Sequence, residues 1–161
     1  MDHEISVRDV PSQWIVSVRR QMSVPELPAF FGEAYGRIFA RLAELDVAAV
    51  APPFAIYHQF GPGQVDAEAG VPISRRIAAT SPLKVRRLTA ATVARTMHVG
   101  PYEELGYAYE ALTDWIADHG RVTAGPVRER YLNGPGEDVP PTSYMTEIEM
   151  PVSPVAEALP V

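Results

Sequence analysis

The chain repeats itself, and nothing else in it limits the fold as strongly. Pro52 and Tyr57 recur as Pro126 and Tyr131, 74 residues on, and the same offset carries Tyr35 onto Tyr109. Asp66 to Ser74 matches Met145 to Ser153 at an offset of 79, with Glu68, Pro72 and Ser74 falling on Glu147, Pro151 and Ser153. The offset changes within loops, where insertions are tolerated. Such a chain of 161 residues is expected to form one domain from two copies of a single supersecondary unit.

Each copy reads strand, helix, strand, strand. Trp14 to Val18 and Thr92 to Met97 are β-rich runs at equivalent places. Apolar residues then recur at helical spacing, at Phe30, Phe31, Ala34, Tyr35, Ile38, Phe39, Leu42 and Leu45, and again at Leu105, Ala108, Tyr109, Leu112, Trp115 and Ile116. The second helix is well punctuated. Gly100-Pro101 precedes it, Glu103 and Glu104 suit the positive end of its dipole, and Gly120 follows. In the first, Ser23 and Glu26 have capping-box spacing, but Pro28 would interrupt a helix begun there, so the start is placed at Pro28 or just before. Hairpins follow from 54 to 73 about Gly61-Pro62-Gly63, and from 127 to 152 about a longer acidic loop containing Gly136-Glu137-Asp138. The boundaries expected are a first repeat over about 5–74, a solvated connector over 75–87, a second repeat over 88–153 and a frayed tail over 154–161. The fold class is α+β: antiparallel sheets with helices on one face, related by a pseudo-twofold, with a ligand cleft between the halves.

Strand alternation sorts the candidate residues. Tyr144, Thr146, Ile148 and Met150 share one face of the last strand, and Met145, Glu147 and Glu149 the other. Val65, Ala67, Ala69 and Val71 form the matching apolar face, leaving Glu68 equivalent to Glu147 on the face away from the helices. Such a face either meets water, making Glu147 an ordinary surface carboxylate, or floors a cleft at the pseudo-twofold axis. On the neighbouring strands Glu129 and Tyr131 share a face, as do Ala55 and Tyr57, so Tyr57 and Tyr131 are candidates to wall that cleft.

Composition removes several chemistries. There is no cysteine, so thiol nucleophiles, disulfides and thiolate metal sites are excluded. His3, His58, His98 and His119 lack ligand spacing, and no phosphate loop or nucleophile elbow is present, so neither a metal nor a cofactor is expected. A net charge of −6 and a pI near 5.2 oppose direct nucleic-acid contact. Met1 to Arg20 carries Asp2, Glu4, Arg8 and Asp9 with no continuous apolar stretch, which predicts neither a signal peptide nor a membrane span and a cytoplasmic location.

Three segments, His98 to Gly106 leading to a helix with Trp115, Tyr131-Leu132-Asn133, and Thr146 to Val152, resemble the GyrI-like small-molecule-binding family, also found as the effector domain of AraC-type and MerR-type regulators. The resemblance covers about residues 5–153 and implies an aromatic-lined pocket with a carboxylate from the last strand. Glu147 matches that glutamate and Tyr131 the tyrosine of the preceding strand, with Glu129, Tyr57, Glu68, Met145, His98, Tyr102 and Trp115 as further ligand-binding candidates. No helix-turn-helix segment precedes the first strand, which implies a stand-alone module, monomeric or weakly dimeric. The leading expectation is a binder of small, partly aromatic, often cationic or amphipathic molecules. A carboxylate in an apolar cleft needs a proton or a cation, and a lipophilic cation also gains ring contact. One alternative is a hydrolase of cyclopropane-bearing alkylating compounds, with Glu147 and Tyr131 catalytic about one water. The other is a protein-binding inhibitor of gyrase-inhibitor type, making contact through the acidic loop.

Overall fold

The computed structural model describes residues 3–134 and 137–153. The tail after Ser153 and Gly136 of the acidic loop lie outside them. The strands are β1 (Ile5–Val10), β2 (Gln13–Met22), β3 (Phe54–Gly61), β4 (Gln64–Ile73), β5 (Lys84–Leu88), β6 (Ala91–Val99), β7 (Val127–Tyr131) and β8 (Met145–Pro151). The helices are α1 (Leu27–Leu45) and α2 (Leu105–Asp118). The fold is α+β, with antiparallel strand pairing throughout. Two compact units emerge: a central one, Pro11–Ala90, and a terminal one in which β1 joins the chain from Ala91 onward.

The central unit orders its strands β3-β4-β2-β5, and the terminal unit β7-β8-β6-β1. Each is therefore a strand-helix-strand-strand unit with one further edge strand. The expected boundaries differ here. Lys84–Leu88, read as connector, is a strand on β2, and Ile5–Val10, read as the start of the first repeat, pairs with β6. Both segments are short and polar, as suits edges that must not recruit further strands, and that polarity hid them.

α1 packs Phe30, Ala34, Ile38 and Leu42 on Val65, Ala67, Ala69, Val71 and Ile73 of β4. α2 packs Ala108, Leu112 and Ile116 on Ala94 of β6 and Ile148 of β8. Each face is the apolar one that alternation selects. The conflict at the start of α1 resolves into two pieces. Ser23 N–H donates to Glu26 Oε2 at 3.0 Å about a 3-10 turn, Val24–Glu26, and the α-helix begins behind it with Pro28 in its first turn, where a missing N–H costs nothing.

The opposite face of the central sheet is also filled. Ile15, Phe54, Ile56 and Leu88 form a second apolar cluster there. Phe54 stands across from Gly70, and a Cβ on Gly70 would lie 2.5 Å from the ring's Cζ. Gly70→Ala must push the ring aside, and overpacking of this kind costs about 1–3 kcal/mol. Thermal unfolding is expected to show that loss in Gly70→Ala and its partial recovery when Phe54→Leu is added.

Candidate functional site

Glu68 sits in the middle of β4 with 3% of its surface exposed and is fully engaged. Ser17 Oγ donates to Oε2 at 2.6 Å, Arg86 donates to both oxygens at 3.1 and 2.8 Å, and His58 Nε2 lies 2.8 Å from Oε1. A bulge in β3 between Tyr57 and Gln59 supplies the extra residue, His58. These partners hold the Glu68 carboxyl below its ordinary range despite burial, and the fork of Arg19 does the same for Asp66. Native-state affinity for protons is thereby reduced, so the stability these groups contribute is present at neutral pH and lost as pH falls below the ordinary carboxylate range. Glu68→Gln is expected to reduce that acid-side loss, read as the midpoint of unfolding against pH.

In the terminal unit the helix-free face carries Arg95, Arg130, Glu147 and Glu149. Register sets Glu147 opposite Met97 and Arg130, and Glu149 opposite Arg95 and Arg128. The ion pairs run diagonally, Arg95 to Glu147 at 3.3 Å and Arg130 to Glu149 at 3.0 Å. Glu147 is buried rather than on an open surface. Burial raises its pKa, with Arg95 opposing and the adjacent Glu149 adding to the rise.

Tyr131 faces Thr146, so it belongs to the other side of the sheet from Glu147, which is one residue along β8. The pairing of Glu147 with Tyr131 about one water is therefore not made. Alternation had correctly put Glu129 and Tyr131 together; the error lay in bringing that face to Glu147's side. Register across the hairpin, which the turn fixes, decides the matter.

What Tyr131 does join is Glu129. Its hydroxyl donates to Glu129 Oε1 at 2.7 Å, and the Tyr109 hydroxyl, from α2, donates to Oε2. Glu129 is buried, and its hydrogen bonds among the described residues come from two tyrosine hydroxyls rather than from a cation. Desolvation raises its pKa, the two hydroxyls opposing. Tyr102 packs edge-on against Tyr131 at 6.1 Å and tilted on Tyr144 at 5.2 Å. Its own hydroxyl is pushed up to about 12, mainly by burial. The Tyr102 hydroxyl also lies 2.7 Å from where a Cβ on Gly134 would stand, so that glycine leaves it room. A buried carboxyl, four tyrosines and a helix thus surround one spot within a single unit.

The remaining candidates scatter. His98 lies on this same face, opposite Thr146. Met145 lies on the helix-free face opposite Val99. Tyr57 packs edge-on against Phe60 in the central unit, and Trp115 stacks on His119 at 3.9 Å beside the α2 core. Tyr109 and Tyr144 were read only as packing residues. The signal for Tyr109 was present, because the 74-residue offset carries Tyr35 onto Tyr109 and Tyr57 onto Tyr131 while Ala55 falls on Glu129. In the central unit, without that carboxyl, the Tyr35 hydroxyl donates to the Phe54 carbonyl instead, at 2.6 Å.

Among the described residues no group of three metal-ligating side chains occurs, and no helix is long and apolar enough to cross a membrane. The model of the GyrI-like small molecule binding domain matches residues 3–153. Among curated sequences none matches. The isolated C-terminal domain of EcmrR superposes with a TM-score of 0.77 at 21% identity, over 95% of this chain and 99% of that one. In the EcmrR–DNA complex the values are 0.82 and 21%, over 93% of this chain but 57% of that one, so this chain spans little more than half of EcmrR. A hydrolase from Listeria innocua gives 0.69 at 16% identity, covering 93% and 92% of the two chains. SAV2435 bound to tetraphenylphosphonium gives 0.62 at 16%, covering 96% and 95%.

Proposed function

Because the chain belongs to the GyrI-like small-molecule-binding family, we propose that it takes lipophilic aromatic cations at Glu129, between Tyr102, Tyr109, Tyr131 and Tyr144. The observation that carries this is Glu129's pair of tyrosine partners in place of a cation. A buried carboxyl so placed holds its proton to higher pH than a free one, a positive charge arriving there favours its ionised form, and aromatic rings favour that charge when it is lipophilic. Glu147 and Glu68, each already beside an arginine, lack that need. Their role in this reading is to hold the sheets. The fold likeness to SAV2435, which binds tetraphenylphosphonium, makes that cation the natural probe.

Register supports two copies of one plan. Ile56 faces Glu68 and Arg130 faces Glu147, and the paired positions stand 74 and 79 residues apart, as in the sequence repeat. Only one copy holds the carboxyl, which makes the site single.

The test is calorimetric titration with tetraphenylphosphonium in buffers of differing ionisation enthalpy. Binding is expected to strengthen as pH rises through the Glu129 pKa, with proton release on the acid side. Binding independent of pH, with no proton released, would sink the reading. A second reading, hydrolysis of a strained electrophile, finds its carboxyl and tyrosine within reach as Glu129 and Tyr131 rather than as Glu147 and Tyr131. It predicts a loss of turnover of about 100-fold in Tyr131→Phe.

A further inference from the structure

On the face that α2 covers, β6, β8 and β7 set His98, Thr146 and Tyr131 side by side. His98 is 1% exposed and Thr146 is 0% exposed. His98 Nε2 lies 3.2 Å from the Pro101 carbonyl oxygen, which can only accept, so Nε2 carries a proton, and in the neutral ring Nδ1 is the acceptor. Nδ1 has no hydrogen-bond partner, and neither has the Thr146 hydroxyl. An orphaned buried polar atom loses its hydration with nothing in return, and here two occur at directly opposed positions next to the tyrosine that holds Glu129.

We propose that His98 Nδ1 and Thr146 Oγ1 form a receptor for a ligand hydroxyl, so that the preferred ligands are aromatic cations bearing a phenol or alcohol. The hydroxyl donates to Nδ1 and accepts from the threonine, satisfying both orphans at once. The specificity is one of neutral hydrogen bonding, independent of the charge recognised at Glu129, though it rests on the reading of that site as a binding site. Both atoms are enclosed, so the incoming group displaces a ring to reach them. Two rings stand next to that row: His3, stacked on His98 at 5.8 Å, and Tyr102, seated on Tyr131 and Tyr144.

The experiment compares tetraphenylphosphonium with (4-hydroxyphenyl)triphenylphosphonium on the full chain. Wild type is expected to prefer the hydroxyl compound about 10-fold, the worth of a well-made hydrogen-bond pair. Thr146→Val keeps shape and removes the hydroxyl, while His98→Gln keeps a donor for Pro101 and moves the acceptor from the Nδ1 position to the amide oxygen beside that donor. Each is expected to bring the ratio near one. Thr146→Val also removes an orphan, so its melting temperature should equal or exceed that of wild type, showing that a lost preference is not lost folding. Equal affinity of wild type for the two phosphoniums, or an unchanged ratio in both variants, would overturn the hydroxyl receptor while leaving the cation site standing. If neither phosphonium binds, the cation site falls, and 4-hydroxybiphenyl against biphenyl decides the receptor: no preference there overturns it too.

Discussion

Glu129→Gln is expected to weaken tetraphenylphosphonium binding by about 2 kcal/mol or more, roughly 30-fold, while sparing neutral aromatic ligands such as biphenyl. The substitution keeps the volume of the side chain and an acceptor for one tyrosine, and removes the charge. In the unliganded protein the same change should be benign. Burial raises the Glu129 pKa, so the native state holds a proton there above the ordinary glutamate value of 4.5. The stability linked to that proton is present at low pH and declines as pH rises through the raised value, because ionising a buried carboxyl is then required. Glutamine cannot ionise and should flatten that decline. Loss of cation affinity together with improved tolerance of alkaline pH is a paired signature that a purely structural glutamate would not give. Equal cation affinity in the two proteins would remove Glu129 from the site.

Much of the fold is legible in the sequence itself. α2 was bounded correctly by Gly100-Pro101 and Gly120, since such punctuation acts through local backbone geometry that no tertiary contact need supply. The faces of β4 and β8 were legible because a period of two leaves little choice once one face is apolar. Glu147 and Tyr131 were assigned to one cleft for want of the cross-strand register, which turns on which residues pair across a loop of uncertain length. The edge strands β1 and β5 were illegible for another reason. Their residues are polar by need, and which sheet they join depends on pairing between segments more than 60 residues apart in sequence for β5 with β2, and more than 80 for β1 with β6. The orphaned pair at His98 and Thr146 could not be read at all, since an unmet hydrogen bond is a property of neighbours.

Arg130→Met is expected to cost about 3–5 kcal/mol, lowering the melting temperature by roughly 10 °C, because it strands Glu149 as a buried charge whose guanidinium partner at 3.0 Å is gone. The arginine side chain is 9% exposed and the glutamate 3%, so water cannot replace what is lost. Arg95 and Arg128 stand directly opposite Glu149, but Arg95 spends its contact on Glu147, and Glu149 already raises the cost of ionising Glu147. Removing Arg130 therefore takes a cation from a face that still holds two buried acids, and Glu147, whose proton affinity burial already raises, should take up a proton more readily. The loss is then largest at neutral pH and smaller in mild acid. Adding Glu149→Leu to Arg130→Met replaces the broken ion pair with apolar surface and is expected to recover most of the stability, as buried pairs exchanged whole for packed side chains do. Both residues lie on the helix-free face, across the sheet from Glu129 and the tyrosines, so the double variant should bind tetraphenylphosphonium as wild type does. A single Arg130→Met variant that unfolds within about 1 kcal/mol of wild type would mean that Glu149 finds another partner, and a double variant that folds but no longer binds the cation would move the binding site to the face of Glu147.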